Sequence, residues 1–508
     1  MWIEALVAVT LLAALVTFVA PNRVAGRLAF LLSALPLLGS FWMWNAFDAS
    51  GNVLVEGTAA FERQIRWLTL GPYDISWHSG LDGVSMPLLV LTTVLFTLAI
   101  VSAWTPIDER QSQFYGLMLL MEASLIGVFT QLDFFIWFVF WEGVLIPMYF
   151  LIAIWGGPRR KYAAIKFFVY TNVASLVMFI GFIALVFGLG DAISSMDLPE
   201  IAMALREGQP DALWWITPQA LKVGAFFATF AGFAVKVPVV PFHTWLPDAH
   251  VEAPTPVSVI LAGVLLKMGT YALLRFNFTM LADVAQANAE LIAIFAVVSV
   301  IYGAMLALSQ QDLKRIVAYS SISSMGYVIL GLVAYTTYGV GGATFQMISH
   351  GLLSGLLFMT VGVIYNATHT RMVGDLSGLA DRMPVTVGVF VAGAFGYMGL
   401  PLMSGFAGEL FVFLGSFGAF PGSVVYTALA MFGIVIVAGY LLYAMQRTLF
   451  GSYRVEGDHE ATPAPAHDVL PLLVLILAIV WLGIDPGVFF GMIQDAVNPV
   501  VAVAGGGF

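Results

Sequence analysis

Apolar runs of about 17–25 residues follow one another along almost the whole chain, and a run of that length crosses a bilayer as an α-helix. Roughly fourteen reach that length. They lie near residues 3–20, 28–45, 81–103, 113–130, 134–155, 164–189, 219–242, 257–279, 289–308, 315–335, 341–366, 386–413, 424–447 and 470–492. The 508 residues are 60% hydrophobic and only 10% charged. Soluble domains carry about 25% charged residues, so no water-soluble core accommodates this chain. The expected fold is all-α and polytopic, a single membrane domain over 1–508 with about 14 transmembrane helices.

Connections are mostly short. The long ones are 46–80, 190–218 and the polar, Ala/Pro-rich RTLFGSYRVEGDHEATPAPAHD, read as a solvated loop. The N-terminal MWIEALVAVTLLAALVTFVA lacks a basic leader and reads as a retained first span. With that terminus outside, one set of loops collects Arg23, Arg27, Arg110, Arg159, Arg160, Lys161, Lys314, Arg315, Arg371, Arg382, Arg447 and Arg454. The opposite set has mainly Arg63, Arg66, Arg206 and Lys222. Basic residues favour the cytoplasmic side. The bias therefore implies an even number of spans with both termini on the periplasmic side.

Two spans are interrupted. In AGFAVKVPVVPFHTWLPDAHVEAPTP, Pro238 and Pro241 break span 7 just after Lys236. GLPLMSG interrupts span 12 ahead of Glu409. Broken helices at corresponding positions point to inverted repeats with a midplane site. This places two five-helix repeats at spans 4–8 (about 113–279) and spans 9–13 (about 289–447), with broken helices 7 and 12.

The apolar runs also contain ionisable groups of both signs. Glu122, Glu142, Lys267 and His350 lie within spans, and Lys236 and Glu409 flank the breaks. A charge at bilayer depth costs roughly 2.5–3.5 kcal/mol on insertion scales and usually marks an ion or proton path. A Glu–Lys pair that opens and closes changes the proton affinity of both members. Histidine relays protons near neutrality, and Ser258, Ser320, Ser321, Ser323 and Ser324 can bridge neighbouring groups. Each group also has a structural reading. Glu142 with a lysine could be a static ion pair and His350 a packing residue, while His243 and His250 read equally as capping or loop-ordering groups and as points of proton entry. Asp312, Lys314 and Arg315 read as a charged loop end.

There are no cysteines, which excludes thiolate-held iron–sulfur clusters and covalent haem attachment through cysteine. Bis-histidine haem is a poor reading, since His350 has no obvious partner at depth. The net charge of −10 is not a nucleic-acid signature, and no phosphate loop, dinucleotide fingerprint or metal-spaced cluster stands out.

AVKVPVVPFHTWLPDAHVEAPTPVSVILAGVLLKMGTY resembles the signature of the proton-conducting antiporter-like membrane subunits of respiratory complex I and of Mrp-type sodium/proton antiporters. FWEGVLIPMYFLI, QQDLKRIVAYSSISSMGY and GLPLMSGFAGE extend the resemblance over essentially the whole chain. The chain is most similar to the M-type subunits of NADH–quinone oxidoreductase. DISWHSGLDGVSMPLLVLTTVL looks M-type, and Glu409 stands where the L- and N-type paralogues place lysine. The chain also stops after span 14, where the L type continues into a long lateral helix.

The resemblance implies that Glu142 pairs with Lys236, that Lys267 bridges to the relay histidine His350, and that Glu409 leads to the release side. His243 would lie toward proton uptake, and Glu122 joins this set with a less defined role. It also implies no cofactor in this chain; flavin, iron–sulfur clusters and quinone belong to partner subunits. The expected partners are other membrane and peripheral subunits of complex I, especially the L and N paralogues, and the lipid bilayer. The expected location is a bacterial inner membrane. The alternative is a subunit of an Mrp-type cation/proton antiporter with no redox partner.

Overall fold

Helices form where the apolar runs predict them. The computed structural model describes residues 1–213, 215–455, 461 and 463–505. Among these, thirteen helices are long and apolar enough to cross a membrane. Spans 1 to 5 are Trp2–Val19, Asn22–Asn45, Ser85–Ser102, Gln111–Thr130 and Phe134–Trp155. Spans 6 to 9 are Arg160–Ala192, Pro218–Lys236, Thr255–Met280 and Ala289–Leu308. Spans 10, 11, 13 and 14 are Leu313–Val333, Thr337–Thr368, Ser423–Thr448 and Ala466–Ile484. Span 12 consists of two half-helices, Pro384–Tyr397 and Ser404–Ser416, and completes the expected fourteen. Spans 8, 10 and 11 are buried almost throughout and form the centre. Spans 1, 2, 13 and 14 turn apolar side chains such as Leu15, Leu31, Val435 and Leu477 outward. Apolar surface of that extent belongs against lipid or a partner.

Each break has a local cause. After Lys236, Pro238 and Pro241 supply no amide donor; the chain turns through Phe242–Thr244 and resumes as the helix Trp245–Glu252. In span 12, Gly399 has φ +70°, a conformation glycine adopts without strain, and Pro401 follows within the turn. Span 5 carries a break the sequence reading did not anticipate, with its halves meeting between Gly143 and Leu145. Pro147 lacks the amide that would bond Gly143, and its ring crowds that carbonyl. Span 8 contains two π-helical stretches, Leu261–Leu265 and Leu273–Met280, a feature often found at functional sites.

The side opposite the basic loops carries an unforeseen β-hairpin in the first long connection. Strands β1 (Ala60–Leu70) and β2 (Tyr73–Leu81) pair antiparallel. Strand β2 bonds to its surroundings through the backbone: Leu132 N donates to His78 O at 2.8 Å and Asp74 N to Ser194 O at 2.9 Å. The second long connection contains the helix Leu198–Glu207.

One backbone pattern occurs twice. Beside Asp133, which caps span 5, Phe134 N donates to Met196 O at 2.9 Å and Leu198 N to Leu132 O at 2.7 Å. Beside Asp312, which caps span 10, Leu313 N donates to Arg371 O at 3.0 Å and Val373 N to Gln311 O at 2.8 Å. Five spans separate the two sites, so they lie on opposite sides of the bundle.

Span 14 ends at Ile484 rather than near 492, because the residue before Pro486 leaves the helical region. A further helix, Gly487–Val503, follows and packs on span 11. Of the expected solvated loop, residues 456–460 and 462 lie outside the described residues, and Arg454–Val455 pair with Leu376–Ser377.

Candidate functional site

The breaks and the buried central helices bring the ionisable groups into three clusters. In the first, Lys236 ends the first half of span 7 and is buried. Its ammonium lies 4.1 Å from the centre of the Trp141 ring and 3.9 Å from Met268 Sδ. Glu142, next to Trp141, is the last residue but one of the first half of span 5. Asn172 Nδ2 reaches its Oε2 at 3.5 Å, and Oε1 has no hydrogen-bond partner. Glu142 and Lys236 face the same region, but they form no ion pair within 4 Å. Trp141 covers the lysine instead, through a cation–π contact that strengthens away from water.

The second cluster is a direct contact. Lys267 and His350 are almost completely buried on spans 8 and 11, and Lys267 Nζ lies 2.5 Å from His350 Nδ1. Lys267 Nζ also donates to Ala262 O at 2.5 Å, a carbonyl in the first π-helical stretch. With Nδ1 accepting from an ammonium, Nε2 carries the imidazole hydrogen, and Nε2 is buried with no partner.

The third surrounds Glu409 in the second half of span 12. Its Oε2 lies against Gly399, 2.5 Å from where a Cβ there would sit, so the break leaves room for the carboxylate. Oε2 has no hydrogen-bond partner. The buried tyrosines Tyr327, Tyr397 and Tyr440 come from spans 10, 12 and 13 and lie within its electrostatic reach. The Tyr397 ring centre is 5.7 Å from that of His350, which links the second and third clusters.

Glu122 is buried in span 4, and neither carboxylate oxygen has a partner. His243 lies in the turn after the span 7 break, its ring 5.7 Å from that of Tyr302 and its Nδ1 unpartnered. His250, in the helix after that break, is completely buried. Its ring stacks on Phe358 at 4.4 Å, and neither nitrogen has a partner. The fields of Lys314 and Lys267 both reach it, so it stands between the basic side and the centre. Lys314, read from sequence as a loop charge, is buried and donates to Ala253 O at 2.7 Å. Asp248 holds the same helix in place by pairing with Lys166 at 2.8 Å and Arg315 at 3.6 Å.

Trp141, Asn172 and the three tyrosines do not stand out in the sequence as site residues, and His250 reads there equally as a loop-ordering group and as a point of proton entry. Their signal was adjacency: Trp141 precedes Glu142, and His250 lies within the segment that carries the resemblance.

Two ionic clusters on the hairpin side are structural. Arg275 donates to Asp82 through two nitrogens, at 2.7 and 2.5 Å, and both residues are buried. Burial alone would raise the Asp82 carboxyl pKa; the Arg275 guanidinium more than reverses this and lowers it. His78 on β2 has Nδ1 2.5 Å from Asp197 and Nε2 2.9 Å from Glu62. Burial would lower its pKa, but Asp197 and then Glu62 more than compensate and raise it. Among the described residues no group of three or more His, Asp and Glu is arranged to hold a metal ion.

The family described as "NADH:quinone oxidoreductase/Mrp antiporter, TM" matches residues 131–436. NADH-quinone oxidoreductase subunit M of Rhodobacter capsulatus is 37% identical over 492 residues, covering 95% of this chain and 91% of the relative. F(420)H(2) dehydrogenase subunit M of Methanosarcina mazei is 37% identical over 508 residues, covering 99% and 98%. Among solved structures, a chain of respiratory complex I from Thermus thermophilus with bound NADH superposes with a TM-score of 0.86 at 26% identity, over 99% of both chains. On this evidence the chain belongs to the NADH:quinone oxidoreductase/Mrp antiporter transmembrane family, among its M-type, antiporter-like membrane subunits.

Proposed function

We propose that this chain is the proton-translocating membrane subunit of an NADH–quinone oxidoreductase of the complex I type. It moves protons through its buried Glu, Lys and His residues, driven by redox chemistry in other subunits. The observation that carries this reading is the Lys267–His350 contact at the buried centre: a donor and an acceptor in direct contact that can exchange a proton. The chain carries no redox centre. Flavin, iron–sulfur clusters and quinone sit in partner subunits, and the absence of cysteine fits this for the clusters. The partners are the other membrane and peripheral subunits, with the L and N paralogues as neighbours. The location is a bacterial inner membrane, with both termini on the periplasmic side. The twin backbone pattern beside Asp133 and Asp312 supports two inverted repeats, spans 4–8 and 9–13.

In the cycle, protons arrive from the basic side past His243 and His250 and load Lys236 and Lys267. Opening and closing of the Glu142–Lys236 pair sets the proton affinity of the lysine. In the present geometry the pair is apart and Trp141 covers Lys236. Protons leave by way of His350 and Glu409. Moving one charge against 100 mV costs about 2.3 kcal/mol, within the range that breaking and making a buried ion pair can supply.

The test is NADH-driven acidification of inverted membrane vesicles. Vesicles lacking this chain should lose it, and complementation with the wild-type chain, but not with Glu409→Ala, should restore it. The names of the relatives favour this reading over an Mrp-type antiporter. Sodium-dependent proton exchange persisting without any NADH-driven acidification would favour the antiporter instead.

A further inference from the structure

The side chains around Glu409 and His350 are unusual for a protein interior. Tyr327, Tyr397 and Tyr440 come from three different spans, and none of their hydroxyls makes a hydrogen bond within 3.5 Å, although serine hydroxyls of span 10 lie close to all three. Ser323 Oγ, Glu409 Oε2 and His350 Nε2 are buried and unpartnered as well. Buried tyrosine hydroxyls ordinarily find a partner, and buried polar atoms without one are few. Phenylalanine would fill the same space without leaving a polar group unpaired, so packing alone does not account for three phenols here. Span 10 adds a hydroxyl-rich wall: Ser320, Ser321 and Ser324 lie near the Tyr397 hydroxyl, and Ser323 near that of Tyr327. Tyr327 also reaches across to span 13, its hydroxyl 3.0 Å from where a Cβ on Gly433 would sit.

We propose that Tyr397, Tyr440 and Tyr327 form a hydroxyl relay that passes the proton from His350 to Glu409. The proposal rests on the proton-translocation reading above. Tyr397 is the receiving member, because its ring lies edge-on to that of His350 at 5.7 Å. Tyr440 and Tyr327 complete the approach to the carboxylate. A hydroxyl is both donor and acceptor. At each tyrosine one O–H bond forms on the incoming side as the original O–H breaks on the outgoing side, so no phenol changes its net charge. Water between two to four such polar groups is the expected bridging element. His350 releases its Nε2 proton as Nδ1 takes one from Lys267; reloading of Lys267, together with a reorientation of the imidazole that again presents an unprotonated nitrogen to it, restores the starting arrangement.

Tyr397→Phe, Tyr440→Phe and the double variant, each in the whole assembled complex in liposomes, test this. The rings stay and only unpartnered hydroxyls go, so the variants should assemble as the wild type does. NADH oxidation by a soluble artificial acceptor, which bypasses the membrane arm, should be unchanged. Pumping-coupled NADH–quinone turnover should fall about tenfold in Tyr397→Phe, within the range for losing a proton-transfer group. Its kinetic solvent isotope effect in D2O should rise above the wild-type value. Wild-type turnover in Tyr397→Phe and in the double variant overturns the proposal, and so does slower turnover with an unchanged isotope effect, which marks a structural role. Lys267→Ala run in parallel separates the two levels. If it loses pumping while the phenylalanine variants keep it, only the relay fails; if both keep it, the underlying reading fails too.

Discussion

Replacing Lys267 with methionine removes the charge and keeps the length and apolar stem of the side chain. Lys267 makes two contacts, to Ala262 O and His350 Nδ1, each at 2.5 Å. Hydrogen bonds to charged groups contribute about 1.5–3 kcal/mol each, so roughly 3–6 kcal/mol of favourable interaction disappears. The desolvation penalty of a fully buried ammonium, several kcal/mol, disappears with it. The two changes nearly cancel, and Lys267→Met should unfold within about 2 kcal/mol of the wild type, on either side of it. Function should not be spared, because methionine carries no proton. Pumping-coupled NADH–quinone turnover should fall at least about tenfold, the lower end of what a positioned proton-transfer group contributes. The assay pairs thermal unfolding of the purified complex with turnover and proton uptake in liposomes. An assembled, normally stable Lys267→Met complex that pumps like the wild type would refute the reasoning. So would a complex that falls apart, since that would make Lys267 a structural pin.

Glu142→Ala should assemble, because Glu142 is only partly buried, yet lose most pumping-coupled turnover; full activity in the assembled variant would sink the paired-charge mechanism. His78 should lock the hairpin in a pH-dependent way. Its pKa is raised by Asp197 and Glu62, so the stabilisation is complete below the unfolded value of about 6.5 and is lost as pH rises through the folded value. Proteolysis of residues 60–81 should speed up with rising pH in the wild type, while His78→Gln should show a flat profile; identical profiles would contradict this. Asp82→Asn strands a buried guanidinium and should cost about 3–5 kcal/mol in detergent-unfolding measurements. Adding Arg275→Met should recover most of that loss, and failure to recover it would show that the pair is not the anchor.

The membrane fold was legible because the physics of spanning is coarse. Run length sets the spans, and Pro238, Pro241 and the GLPLMSG stretch announce two of the three breaks. The third was also written in the sequence, with Pro147 four residues after Gly143, but an uninterrupted apolar run hid it. The hairpin left a weaker trace, two runs of mixed polarity around Gly71-Pro72, easily read as plain connection in a chain dominated by helices. The π-helical stretches of span 8 leave no comparable mark, since their cause lies in packing between helices. The charged candidate residues stood out because charge is rare at bilayer depth. The three tyrosines did not, and His250 stood between two readings, because their significance comes from convergence. His250 becomes a central group through stacking on Phe358, 108 residues away. A single tyrosine in an apolar run says nothing until two others are found facing the same carboxylate.

The most direct test of the central claim is a native gel of mildly solubilised membranes, stained for NADH dehydrogenase activity and probed for this chain. The account predicts co-migration with a large NADH-oxidising band. Migration in a smaller band without that activity would contradict it.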